Sequence, residues 1–180
     1  MNNTSEQAGW LTPDNEPVYD EELDRRLSQW LREVSGLPNG MVRPRWTPVP
    51  VAHPPANTDW CGFGVVEIPA DDNPAYASQT DKHGEIWRHE EFECSASFYG
   101  PRSQRYASRF RDGISLSQNN AELNQLGLSV VKHSHITSFP ELINNQWVRR
   151  YDINVTLRRK SVRRYGVKSL LDAPVKFFGD

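Results

Sequence analysis

Cysteine, long apolar runs and recognisable catalytic motifs are what this sequence has least of. Its 180 residues hold two cysteines, Cys61 and Cys94. No stretch approaches the ~20 apolar residues that a helix needs to cross a bilayer, so no membrane partner is expected. The opening MNNTSEQAGW lacks the basic and apolar regions of a secretory signal. Synthesis and use in the cytosol are therefore expected. In that compartment two cysteines on two candidate strands are expected to be buried thiols rather than a disulfide or a metal site. Hydrophobic residues make up 37% and mean hydropathy is −0.71. A single domain of this length has room for a core, but that composition keeps the core modest and leaves much of the chain to surface or tail.

Motifs that carry chemistry are also missing. His133 and His135 share one face of a candidate strand, but no cysteine or acid near them in sequence completes a metal set. His89–Glu90–Glu91 is a fragment of HExxH without its second histidine. Ser115 and Ser117 lack the GxSxG elbow. Gly62–Phe63–Gly64 is not a dinucleotide fingerprint, and no Walker A run occurs. Asp71 and Asp72 sit among asparagine and proline and read as turn formers. An enzyme with a dispersed site stays open, but no motif here supports one.

What is present begins with a charge division. Residues 1–99 carry 7 Lys/Arg against 17 Asp/Glu, a net of −10; residues 100–180 carry 14 against 6, a net of +8. Such a division fits a basic nucleic-acid surface with an acidic counterpart, faces that meet in an oligomer, or two halves interleaved on one mixed surface.

Residues 1–19 are polar and read as a flexible arm with apolar Trp10 and Leu11. Asp20–Ser35 reads as a helix: Leu23, Leu27, Trp30, Leu31 and Val34 form one stripe, Asp20 is the candidate N-cap, and Gly36 and Pro38 stop it. Residues 41–46 form a short extended segment that Pro44 confines to an edge. A connector with four prolines follows, then a strand over residues 60–68 that Gly62 and Gly64 weaken. Residues 69–83 are a long polar loop. Gly84–Tyr99 is a long strand with Phe92, Cys94, Ala96 and Phe98 on one face. Gly100 and Pro101 open a helix whose face holds Tyr106, Phe110 and Ile114, with Pro101 at its first position. A short helix over 117–126, a strand over 128–139 and a turn over 140–146 come next. The order predicts an α+β domain: a mainly antiparallel sheet with helices on one face.

Residues 147–160, WVRRYDINVTLRRK, organise the rest. Trp147, Tyr151, Ile153, Val155 and Leu157 alternate with polar residues over more than ten positions. These five are expected to share a buried face with the apolar face of Gly84–Tyr99, covered by Leu27, Trp30 and Leu31. After Leu157 the apolar side ends and the chain is expected to enter a basic hairpin. Arg158, Arg159, Lys160, Arg163 and Arg164 are its candidate interaction residues. Cations there suit nucleic-acid phosphates, and they equally suit an acidic protein surface. Single-strand binding would also need exposed aromatics. The C-terminal residues SLLDAPVKFF need an apolar partner.

Several of these pieces together resemble phage neck or tail terminator proteins. They are the LxxxLxxWL pattern of Leu23–Leu31, the strand-to-helix turn FECSASFYGPRSQ with the helix ending FRDGI, and the strand WVRRYDINVTLRR. The resemblance implies a curved antiparallel sheet flanked by helices over residues 20–160, with an arm at 1–19 and a tail at 161–180. It implies a structural, non-enzymatic virion protein without cofactor, assembled in the host cytoplasm as a hexameric ring at the neck. Such a ring ends the tail tube and joins the tail to the head connector, with the tail sheath a further neighbour. DNA passes through its lumen without specific recognition. Other head–tail joining or tail-completion rings, and a nucleic-acid-binding module using residues 149–168, are the competing readings.

Overall fold

The first helix, α1 (Asp20–Ser35), has the bounds its apolar stripe predicts. Leu23, Leu27, Trp30 and Leu31 are all buried. Three acids occupy its first turn, where the helix dipole favours them. The N-cap is Tyr19 rather than Asp20, and no side chain caps this end. Gly36 closes the other end at φ 75°, with its N–H donating to the Arg32 carbonyl at 2.8 Å. Only glycine adopts that backbone without strain.

The computed structural model describes residues 4–49 and 52–168. After α1 come β1 (Val42–Pro44), β2 (Trp60–Glu67), β3 (Ala75–Ala77), β4 (Gly84–Tyr99), α2 (Ser103–Gly113) and α3 (Ser117–Gln125). Then follow β5 (Leu128–His133), β6 (Thr137–Ser138), β7 (Glu141–Ile143), β8 (Gln146–Val148) and β9 (Arg150–Tyr165). Seven strands form one open, curved sheet with the path β1-β2-β4-β9-β5; β3 adds to β4 and β6 to β9. Pairing is antiparallel except for β1, which runs parallel to β2 at an edge. Pro44 sits in that edge strand, where its missing N–H costs no ladder bond. The fold is α+β, a mainly antiparallel sheet flanked by helices. The apolar C-terminal segment SLLDAPVKFF lies outside the described residues.

Contacts gather into two units. The larger comprises residues 18–49, 52–69 and 90–159, and the smaller draws on residues 4–17, 70–89 and 160–168. The larger unit holds the core. Its sheet contributes Phe63, Phe92, Cys94, Ala96, Phe98, Ile153, Val155 and Leu157; the helices contribute Leu27, Leu31, Ala107, Phe110 and Leu123. The β2–β4 register places Cys61 opposite Phe98 and Phe63 opposite Ala96. Trp30 meets Phe110 edge-on at 5.0 Å, a favoured aromatic geometry. Both cysteines are free and buried. Burial raises both thiol pKa values, that of Cys94 to about 12. In the smaller unit, the N-terminal residues run beside the end of β9. Thr4 bridges Gly166, and the Asp14 N–H donates to the Arg164 carbonyl at 2.9 Å.

Further expectations change, beginning with the strand over 128–139, which divides into β5 and β6. The polar loop over 69–83 contains β3, which pairs Tyr76 with Ile86. The turn expected over 140–146 is a two-stranded hairpin, β7–β8. Trp147 stands on the outer face of that hairpin at 73% exposure, while its neighbour Val148 is buried against Trp60 and Tyr99. The alternation counted from Trp147 therefore spans two strands, β8 and β9.

The strand-to-helix turn after β4 explains its own sequence. Gly100 has φ 108°, and any Cβ there would strike Thr58 and Asp59. Asp59 is buried, and its carboxylate accepts from the Arg102 N–H at 2.7 Å and from Arg102 Nε at 2.8 Å. Ser103 Oγ donates to the Gly100 carbonyl at 2.7 Å. Helix α2 begins at Ser103, two residues beyond Pro101.

Candidate interaction site

The basic residues from Arg158 to Arg164 lie within β9, which continues to Tyr165 instead of turning into a hairpin. Burial alternates along the strand: Ile153, Val155, Leu157, Arg159 and Ser161 are all buried. Arg159 therefore occupies a core position in the strand's period-2 pattern.

In the larger unit, Arg159 Nε meets Glu90 Oε2 at 2.7 Å, and both side chains are under a tenth exposed. Its guanidinium lies 4.6 Å from the Tyr19 ring centre and also donates to the Val18 carbonyl. A planar fork with five donors suits such a site better than lysine does. Arg158 points the other way and pairs with Glu91, with Nε at 3.1 Å, on the polar face of the sheet.

In the smaller unit, Lys160 places its ammonium over the Trp87 ring. Arg163 approaches Glu16 at 3.7 Å. Arg164 meets both Asp14 carboxylate oxygens, at 3.1 and 3.0 Å, and its N–H donates to Asn15 Oδ1 at 2.6 Å. Lys168 pairs with Glu6 at 2.7 Å, and that hydrogen bond holds the Glu6 carboxyl below its ordinary pKa. The acids all come from the negative half of the sequence, so part of the charge division is met inside the chain. Four of the five candidate residues have ionic partners within their unit, and the fifth has an aromatic one. Arg159 is a buried structural cation, which its place among five surface candidates did not foretell.

The remaining polar face of the sheet is similarly joined in the larger unit. Asn154 donates to Glu93 at 3.0 Å, Arg150 to Asp152 and Glu141, and Arg45 to Ser97. Trp46 lies across Gly64 so closely that a Cβ there would force its ring to shift. No group of three or more metal-ligating side chains occurs among the described residues. No helix among them is long and apolar enough to cross a membrane. His133 and His135 are exposed, and Asp71, expected as a turn former, instead reaches across to β4, its carboxylate accepting from the His89 N–H at 3.0 Å.

These features describe a scaffold of long strands with joined polar surfaces. A family model described as phage neck terminator protein matches residues 21–180. The chain belongs to the phage neck terminator family. The matched range includes every described strand and, apart from Asp20, every described helix. The comparison with curated proteins finds no match. Phage neck terminators are structural proteins of the phage neck, in keeping with a polar sheet face built from ion pairs.

Two surface features of this neck terminator escaped sequence reasoning. One is the β7–β8 hairpin with Trp147 outward. Its signal was the Asn144–Asn145 pair between ELI and QWV, since both asparagines take positive φ, 49° and 61°, as a two-residue hairpin turn requires. The other is a groove of about 1050 Å³ between residues 20–32 of α1 and residues 44–49. No local sequence signal marks it, because it arises where a helix passes an edge connector.

Proposed function

We propose that the protein forms a hexameric ring at the phage neck that ends growth of the tail tube and joins the tail to the head connector. The observation that carries this reading is the family match over residues 21–180 together with the open α+β sheet. A ring of identical chains pairs one face of each chain with a different face of the next. An open sheet with two edges and exposed apolar side chains at several points offers such faces. Capping requires that one ring face dock on the tube and the other recruit no further tube subunit. Arg158, Lys160, Arg163 and Arg164 contribute the charged part of the contacts with neighbouring rings, including the tail sheath where one exists. Their internal partners are exposed or half-buried at the surface, and such pairs exchange partners at small cost. Arg159 supports this strip from within. DNA passes through the lumen without specific recognition.

Phage lacking the gene, examined by electron microscopy, test the reading. The expected result is tails of uncontrolled length or tails without heads, with normal ones restored by the gene supplied in trans. Normal headed tails in its absence would refute it.

A further inference from the structure

The geometry points to a head-to-tail contact between copies of this chain, in which the β7–β8 hairpin of one copy seats in the acid-lined groove beside α1 of the next. This rests on the ring reading and names the surfaces that make it.

The hairpin is built to present. Its two-residue turn is set by Asn144 and Asn145. Val148 fixes its inner face against the stacked pair Trp60 and Tyr99, whose rings lie 4.3 Å apart. Glu141 ties it to Arg150 at 3.0 Å. Leu142 and Trp147 stand opposite each other in register on the outer face, 53% and 73% exposed. Phe139, just before the hairpin, is 58% exposed. Arg149 follows directly, is exposed, and has no ion-pair partner among the described residues. A held tryptophan beside an unpaired arginine is the composition that dominates binding energy at interfaces.

The groove complements it in shape and charge. Trp46 and Val49, 70% and 74% exposed, form one apolar wall. Asp20, Glu21 and Asp24 line the other, and none of the three has an ion-pair partner among the described residues. The cations that also line it are engaged elsewhere: Arg25 by Glu22 and Arg32 by Glu33. The Asp24 carboxyl is pushed above its ordinary pKa by partial burial, then by the neighbouring charges of Asp20 and Glu21. An incoming cation relieves that repulsion. Knob and groove lie on different elements of the larger unit, and in the isolated chain both stand open. A contact of unlike surfaces repeats from copy to copy and closes into a ring when the rotation allows.

The test replaces Trp147 with the photoreactive benzoylphenylalanine in the full chain, supplied to an infection that lacks the gene. Tails are purified and irradiated. The expected product is a covalent pair of two copies, joined through a peptide from residues 20–32 or 44–49 of the second. The variant Asp20→Asn, Glu21→Gln, Asp24→Asn, shown to be folded by its circular dichroism, should lower the yield about tenfold, the loss expected from about 1.4 kcal/mol of contact energy. Tails that contain the chain but give a product with another tail protein, with another segment, or no product overturn this contact alone. An unsubstituted chain, folded and supplied in the same way, that never enters tails overturns both the contact and the neck reading.

Discussion

At the scale of the residue, two arginines adjacent in sequence have unlike fates. Arg158 pairs with Glu91 in partial exposure, whereas Arg159 pairs with Glu90 out of water. Removing one partner of a buried pair leaves an uncompensated charge, at about 3–5 kcal/mol. An exposed pair contributes about 0–1 kcal/mol. Arg159→Ala should therefore lower the urea midpoint sharply and Arg158→Ala scarcely at all. Replacing both Arg159 and Glu90 with Met and Leu should recover much of the loss, because the desolvation cost goes with the charges. Equal midpoints for the two alanine variants would contradict the buried assignment. The cysteines carry a pH prediction. The Cys94 thiol is raised by burial from an ordinary value of 9.0 to about 12. Unfolding frees it to ionise at its ordinary value, so its contribution to stability is complete below about pH 9 and declines as pH rises towards about 12. Native protein at pH 8 should react slowly with a thiol reagent, and unfolded protein at once. Fast reaction in the native state would show that the thiols are accessible.

At the scale of the element, β9 is an interior strand of the sheet, between β4 and β5. Val155 is 1% exposed on its inner face. Val155→Asp buries an unpaired charge and should cost about 3 kcal/mol or more, read as a large fall in melting temperature. An unchanged melting temperature would mean that another face of β9 is buried. The elements most legible in the sequence are those whose pattern outlasts local accidents. Helix α1 and strand β4 have the bounds that their periodicity predicts, because a 16-residue amphipathic pattern has one solution. Legibility fails where neighbouring patterns happen to agree in phase. Trp147 shares odd parity with Tyr151 and Ile153, yet belongs to β8, which reverses direction at Asn144–Asn145 and ends before β9 begins. Parity counts positions and does not detect a break between strands. Arg159 fails for a different reason. Polarity marked it as surface, while its actual environment depends on Glu90, sixty-nine residues away in sequence. The candidate site was thus legible as a basic strip, and the partners that occupy it were not.

At the scale of the whole molecule, assembly is the measurable property. Changing Arg158, Lys160, Arg163 and Arg164 together to serine, with Arg159 kept, should leave the helical circular dichroism intact and block joining of tails to heads. Tight DNA binding by the parent, weakening steeply with salt, with joining unaffected in the variant, would favour the nucleic-acid reading instead. The two long strands have one more consequence. Strand β4 contributes Gly84–His89 to the smaller unit and the rest to the larger, and β9 divides between Arg159 and Lys160. A single strand thus passes from a dense apolar environment into one held by polar side chains and few apolar contacts. Amide protons along it should report that passage. In deuterium oxide, those of residues 153–157 should exchange only through global unfolding. Those of residues 162–165 should exchange orders of magnitude sooner, through local opening. The boundary would fall within one strand, dividing it between two cooperative units.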